Sequence, residues 1–231
     1  MTRAPEGSGR FRLVTFDIDG TLTTVHGWRV LAEEVGRTPE YEESNRQFLA
    51  GEIGEDAHLA DLLGLAEGLT LARVAAILER TPKVGGIPEA IELWHRDGIR
   101  VALLSHNPEY VCAWYAHRFG FDGYAGSPTP PLVHGRIPPP GRVRADKPAG
   151  LGELTARWGI PPRSVVHVGD GRADAALFRR VGGGVALNSS LGEVEAAADL
   201  VLRRNDIREL PRLIGGMRPR PRPSAGHGDF L

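Results

Sequence analysis

Two aspartates, Asp17 and Asp19, stand one residue apart in the stretch FDIDGTLT, directly after a run of strand-forming residues. Other polar side chains also follow apolar runs: Ser105 comes after VALL, and Asp170 and Asp174 come after VVHV within GDGRAD. Carboxylates that converge repel one another and raise each other's pKa unless a cation joins them. Oxygen-only ligands suit a hard ion such as Mg²⁺. The carboxylates therefore predict a magnesium site.

Lys147, ahead of a predicted helix, adds an ammonium to this set. Together with a metal and the Ser105 hydroxyl, it would offer positive charge and hydrogen-bond donors to an anion with several oxygens, which points to phosphate. An aspartate can attack phosphorus to form an aspartyl phosphate, and a neighbouring acid can protonate the leaving group and later activate water. Asp17 and Asp19 suit these two roles, and Gly20 permits the turn that follows them.

The elements that must position these residues alternate between strands and helices. Short apolar runs without polar alternation predict buried parallel strands, and helical periodicity predicts helices between or after them. The expected fold class is α/β, with a doubly wound (Rossmann-like) parallel sheet whose ligands collect at the carboxyl ends of the strands. The predicted strands are FRLVTF, IRVALLS, SVVHVGD, GGVALN and ADLVL, and the predicted helices cover 87–98, 108–118, 148–158, 172–181 and 207–214.

Residues 24–82 interrupt this alternation, because they contain helical patterns and no strand candidate. The interval exceeds an ordinary crossover and predicts an inserted helical cap, which leaves 11–23 and 83–214 as the core domain. Residues 1–10 and 215–231 are small, polar or rich in Arg-Pro alternation, and they predict disordered tails. A proline-rich stretch beginning SPTPPLVHGRI predicts a loop or small hairpin.

The composition excludes several classes of protein. The chain has 28 Lys plus Arg against 29 Asp plus Glu, so no bulk field attracts it to nucleic acid or an anionic membrane. The single cysteine, Cys112, excludes an intrachain disulfide framework and a multi-cysteine zinc site, and it suits a reducing compartment. No apolar stretch approaches a membrane span, and the N-terminus lacks the pattern of a secretory signal. We therefore expect a cytoplasmic protein that acts on a small molecule; its oligomeric state stays open.

In chain order, DIDGTLT, Ser105, Lys147 and GDGRAD resemble the four motifs of the haloacid dehalogenase superfamily. LVHGRI and NDIREL are similar to its phosphoserine phosphatase-like branch, so the resemblance covers roughly residues 11–214. It implies Asp17 as the nucleophile and Asp19 as the general acid and base. The implied phosphate-binding residues are Ser105 and Lys147, with His106 as a further candidate, and the implied Mg²⁺ site consists of Asp17, the backbone carbonyl of Asp19, and Asp170, supported by Asp174.

The resemblance implies a Mg²⁺-dependent phosphatase that hydrolyses a small phosphorylated metabolite through an aspartyl-phosphate intermediate. Asp19 favours phosphate-ester hydrolysis, because dehalogenases of the superfamily lack an aspartate at this position and transport ATPases carry threonine there. The alternatives that stay open are a phosphoserine phosphatase, a phosphotransferase that passes the phosphoryl group to an acceptor alcohol, and a catalytically impaired binding protein.

Three departures from the phosphoserine phosphatase pattern bear on substrate and metal. Ala173 replaces the usual asparagine of the fourth motif. His26 and Leu62 stand near the positions where that branch reads the amino and carboxylate groups of serine. A site for a zwitterion would need both charges, so we expect a different phosphorylated alcohol. The candidate specificity residues are His26, Trp28 and His58.

Overall fold

The computed structural model describes residues 10–141 and 146–220. A parallel sheet of six strands forms its centre, in the order β3-β2-β1-β4-β5-β6. The chain starts in the middle of the sheet, builds one side and then crosses to build the other, as a doubly wound fold requires. The predicted fold class is thus confirmed. The strands are β1 (Leu13–Phe16), β2 (Arg100–Pro108), β3 (Gly123–Ser127), β4 (Val165–Gly169), β5 (Gly183–Leu187) and β6 (Leu200–Leu202).

Ten α-helices lie among the described residues, and none of them is long and apolar enough to cross a membrane. Five of these helices fall between β1 and β2, four of them within residues 24–82, and the remainder follow β2 along the chain. They are α1 (Gly27–Val35), α2 (Thr38–Leu49), α3 (Glu55–Gly64), α4 (Leu71–Arg80), α5 (Ile87–Arg96), α6 (Glu109–Phe119), α7 (Lys147–Trp158), α8 (Arg172–Phe178), α9 (Gly192–Ala197) and α10 (Leu210–Gly216).

Both faces of the sheet are covered, which explains why its strands lack polar alternation. Along β1, Val14 and Phe16 join the apolar cluster on one face, whereas Leu13 joins the cluster on the other. The first cluster continues into the helices between β1 and β2, where it includes Leu31 and Ile77. The helical interval therefore packs on the core through a shared apolar cluster.

The predicted elements agree with the structure, which adds the helix α9 and the edge strand β3, neither of which was predicted. All five predicted strands and all five predicted helices are present, with ends shifted by a few residues. Strand β3 was not predicted, because GYAGS contains two glycines and its alternating burial reflects an edge position. The predicted small hairpin appears as an antiparallel bridge between Val133 and Arg136, with positive φ at His134 and Gly135, as a tight two-residue turn needs.

The C-terminal boundary needs a correction. Residues 215–220, which were predicted to belong to the tail, are instead part of the folded structure, because α10 continues to Gly216 and Arg220 is bound to the core. The Arg220 guanidinium donates to the carbonyl of Phe178 at 2.5 Å and to that of Ala197 at 3.2 Å, at the ends of α8 and α9. A cation suits the negative end of a helix. The tails predicted over 1–9 and 221–231 lie outside the described residues.

Candidate active site

The polar residues picked out in the sequence meet at the carboxyl end of the sheet. Asp17 and Asp19 follow β1, and Asp170 follows the adjacent strand β4, because β1 pairs with β4 from Leu13↔Val165 to Phe16↔Val168. The strand order reverses between these two strands, so their ends form the crevice where such sheets bind ligands. A cavity of about 250 Å³ opens there.

Lys147 lies between the two strand ends at the first position of α7. Its Nζ donates to Asp17 Oδ2 at 2.9 Å and to Asp174 Oδ1 at 2.6 Å, and its side chain is 3% exposed. Burial by itself would lower the pKa of Lys147, but the two carboxylates outweigh it and raise the pKa. The ammonium therefore stays charged beside the proposed nucleophile.

Asp174, on the first turn of α8, is fully buried and accepts four hydrogen bonds. Its Oδ1 accepts from Lys147 Nζ and lies 2.8 Å from His167 Nε2, whereas its Oδ2 accepts from the backbone N–H groups of Asp170 (3.1 Å) and Gly171 (2.9 Å). Burial would raise the pKa of Asp174, but Lys147 and His167 outweigh it and hold the pKa far below its ordinary value. These four bonds engage both oxygens and hold the carboxylate beside Lys147.

The carboxylates fit a hard divalent cation. Asp17, Asp170 and Asp174 each offer an oxygen, and these oxygens lie within 4.8 Å of one another. Burial and the charges of Asp17 and Asp174 raise the pKa of Asp170 to about 8. A cation between the oxygens would relieve that repulsion, and carboxylate oxygens are the ligands that Mg²⁺ prefers.

Gly20 makes this convergence possible. Its φ is +78°, and a Cβ at this position would lie 2.2 Å from Asp170 Oδ2. Any other residue would be strained and would displace the carboxylate. Next to it, the Thr21 hydroxyl donates to Asp170 Oδ1 at 2.8 Å, a contact that the sequence analysis missed.

Asp19 is not one of the three clustered carboxylates. Its Oδ1 accepts from the N–H of Gly27, the first residue of α1, at 2.6 Å, and its Oδ2 accepts from Asn107 Nδ2 at 2.9 Å. These two donors orient the side chain at the cavity wall. The metal contact through the backbone carbonyl of Asp19 stays a prediction.

Asn107 is a second residue that the sequence analysis undervalued. Besides Asp19, its Nδ2 and its backbone N–H both donate to Ser105 Oγ, at 3.1 and 3.2 Å. The Ser105 hydroxyl thus accepts twice, and its own hydrogen remains available to an incoming oxygen. The sequence SHNP alone does not reveal this link, because the link depends on how the end of β2 lies beside β1.

His106, predicted to bind phosphate, lines the cavity, but its Nδ1 lies 3.1 Å from Glu55 Oε1 at the start of α3. The His106 contact lowers the pKa of Glu55. This pair connects the helical interval to the core across the cavity. A phosphate-binding role for His106 stays a prediction.

The three candidate specificity residues all line the cavity. His26 is exposed, Trp28 is 5% exposed, and His58 is half-buried and stacks on Phe48 with ring centroids 4.6 Å apart. Leu62, which the sequence comparison placed near the substrate, lines the same cavity. Four further residues of the helical interval that line it were not predicted: Phe48, Leu49, Glu55 and Leu59. Their contribution was hidden because it depends on which helix faces the sheet.

Known proteins share both the sequence pattern and the fold. A phosphoserine phosphatase of Archaeoglobus fulgidus is 29% identical over 77% of this chain and 53% of its own length, so the chain spans about half of that relative. Phosphoserine phosphatases of Albidiferax ferrireducens and Methanocaldococcus jannaschii are 28% and 23% identical, over 81% and 88% of this chain and 83% and 97% of theirs.

Solved structures agree at the level of the fold. A haloacid dehalogenase family hydrolase of Salmonella enterica superposes with a TM-score of 0.80 at 19% identity, over 90% of this chain and 73% of that one. A substrate-bound phosphoserine phosphatase superposes with a TM-score of 0.75 at 21% identity, over 88% and 98% of the two chains.

The family assignment rests on a match to a family model. The profile of the haloacid dehalogenase-like hydrolases matches residues 11–182, more than half of the chain. The relatives support the class of phosphoric monoester hydrolases and the predicted phosphoserine phosphatase-like branch. The chain belongs to the haloacid dehalogenase-like hydrolases.

Proposed function

We propose that this chain is a Mg²⁺-dependent phosphatase that hydrolyses a small phosphate monoester through an aspartyl phosphate on Asp17. The observation that carries the proposal is the pairing of Asp17 with Lys147 at 2.9 Å on the floor of the 250 Å³ cavity, with Asp19 on the wall. A carboxylate nucleophile beside a fixed cation suits attack on an anionic phosphoryl group. The cavity volume suits a metabolite of modest size.

Different residues of the chain have separate roles in this hydrolysis. Asp17 attacks phosphorus, while Asp19 gives a proton to the departing alcohol oxygen and then takes one from the water that cleaves the aspartyl phosphate. Lys147 and the Ser105 hydroxyl bind the phosphoryl oxygens. Asp17 and Asp170 would hold Mg²⁺, with Asp174 behind them; when bound, the ion neutralises charge on the phosphoryl oxygens.

Asp17→Asn tests the chemistry. We expect the variant to lose at least about a thousandfold in phosphate release, because an amide is a poor nucleophile and cannot form the covalent intermediate. The measurement is release of inorganic phosphate from a panel of phosphorylated metabolites with Mg²⁺. Asp97→Asn, an exposed aspartate remote from the cavity, is the matched control. Near wild-type turnover by Asp17→Asn would contradict the proposal.

Phosphoserine is the second candidate substrate, and the similar phosphoserine phosphatases favour it. The departures at His26 and Leu62, which both line the cavity, speak against it. The same panel distinguishes the two: a kcat/KM on phosphoserine well above that on every other ester would establish phosphoserine as the substrate.

A further inference from the structure

The helical interval contributes a mostly apolar wall to the cavity, formed by Trp28, Phe48, Leu49, Leu59 and Leu62. Among the described residues that line the cavity, only Lys147 and Arg172 are permanently charged cations. Lys147 is bound to Asp17 and Asp174, and Arg172 Nε pairs with Glu193 at 2.5 Å. Among the described residues that line the cavity, a carboxylate on the leaving group would therefore meet no lysine or arginine that lacks a carboxylate partner.

His58 adds a polar ring beside this wall, and one of its nitrogens is hydrogen-bonded on the side away from the cavity. Its Nδ1 lies 2.9 Å from Ser44 Oγ, and the same hydroxyl donates to Asp61 Oδ2 at 2.7 Å. His58 and Asp61 are three positions apart on α3, so both side chains face α2, where Ser44 is buried.

This chain of contacts determines which nitrogen of His58 carries the proton. Ser44 has one hydroxyl hydrogen, and the Asp61 carboxylate can only accept, so that hydrogen goes to Asp61. The Ser44 oxygen must then accept from Nδ1–H of His58. In the neutral ring the lone pair is consequently on Nε2, which has no hydrogen-bond partner among the described residues and is not sealed from solvent.

The ring is held in place and in the neutral state. It stacks on Phe48 at an interplanar angle of 3°, which fixes its plane in the cavity wall. Burial, followed by the nearby charge of His26, lowers the pKa of His58. At neutral pH the ring therefore presents an acceptor to the cavity.

We propose that His58 Nε2 accepts a hydrogen bond from the substrate, and that the leaving group is an apolar alcohol carrying a hydroxyl or ammonium donor and no carboxylate. This inference rests on the proposed phosphatase function, and it names the substrate class of the same site. A hydroxyl and an ammonium can both donate a hydrogen bond to His58 Nε2, and the comparison of esters below distinguishes them.

The tautomer is tested without any turnover, by nitrogen NMR on protein labelled with ¹⁵N-histidine. The chain has 8 histidines, and the signals lost in His58→Phe assign this one. We expect Nδ1 to resonate as a protonated nitrogen and Nε2 as a nitrogen with a lone pair. The opposite assignment in the wild-type protein would overturn the proposal. Ser44→Ala should weaken the preference, whereas Ser164→Ala, remote from the cavity, should not.

The substrate class is tested with short alkyl phosphates of equal length that end in methyl, hydroxyl, ammonium or carboxylate. We expect kcat/KM for a hydroxyl or ammonium ester to exceed that of the matched methyl ester by about tenfold or more at one chain length. In His58→Phe this ratio should fall to about one. The donor group whose ester has the higher kcat/KM is the one that binds His58.

The outcomes separate the two proposals. A preference for the methyl or carboxylate ester at every length would overturn the substrate class, while Mg²⁺-dependent turnover would still support a phosphatase. If the wild-type protein hydrolysed none of the esters with Mg²⁺, the proposed function would fail, and the nitrogen signals would still decide the tautomer.

Discussion

His167 shows how a residue inside the sheet bears on the site. It is fully buried on β4, and both of its ring nitrogens are engaged: Nδ1 with Thr15 Oγ1 at 2.8 Å and Nε2 with Asp174 Oδ1 at 2.8 Å. Hydrogen bonds thus connect Thr15 on β1, through His167 and Asp174, to Lys147. His167 positions the residues that hold the proposed nucleophile.

Thr15→Val tests this line with little change of shape. We expect the free energy of unfolding to fall by about 1–3 kcal/mol, because His167 Nδ1 would be left buried without a partner. Urea unfolding measures the change. Thr155→Val is the control, since the Thr155 hydroxyl bonds only a carbonyl of its own helix. A loss no larger than that of the control would show that the hydroxyl contributes nothing.

At the scale of elements, Asp122 connects three parts of the core at the end of the sheet opposite the cavity. Its carboxylate accepts from the N–H of Val101 (2.8 Å) and from Arg100 Nη1 (2.7 Å), and it lies 2.9 Å from His95 Nε2 at the end of α5. Burial by itself would raise the pKa of Asp122, but these three partners outweigh it and lower the pKa. The contact links α5, the start of β2 and the turn before β3.

Asp122→Asn is expected to destabilise the fold at neutral pH by about 1–2 kcal/mol, because charge-assisted hydrogen bonds are lost. Because the pKa of Asp122 is lower in the folded than in the unfolded state, its ionised carboxylate stabilises the fold at pH values above the unfolded-state pKa of about 4. That contribution disappears as the pH falls through the folded-state pKa. The deficit of the variant should therefore shrink in acid. Urea unfolding measured from neutral pH into acid tests this, with Asp97→Asn as the control; a deficit independent of pH would contradict it.

At the scale of the whole molecule, the fold gathers buried carboxylates that repel one another. The helical interval over 24–82 packs on the core through a common apolar cluster and reaches across the cavity through Glu55 and His106. We propose that this interval is an inserted cap. At the site that it covers, repulsion between the carboxylates lowers the free energy of unfolding, and the same carboxylates are the groups proposed to bind ligand.

Asp170→Asn should therefore have two opposite effects. Without metal, the variant should unfold at a higher temperature than the wild-type protein, because an amide neither carries the repelled charge nor has to take up the proton that a folded-state pKa of about 8 requires. With Mg²⁺, the wild-type protein should gain stability, by about 2.7 kcal/mol at a hundredfold excess over Kd, whereas the variant should gain little. Thermal unfolding with and without Mg²⁺ is the measurement, and an equal response of both proteins would argue against Asp170 as a ligand.

The sequence by itself determined the sheet, its strand candidates and the carboxylates, Ser105 and Lys147 of the site. These follow from local patterns: apolar runs between turns, and polar residues at strand ends. Only the tertiary structure decided that Asn107 holds Asp19, that His167 supports Asp174, and that Ser44 and Asp61 orient His58. Such contacts join elements far apart in the chain, and their partners depend on the register of the strands and the face that each helix presents.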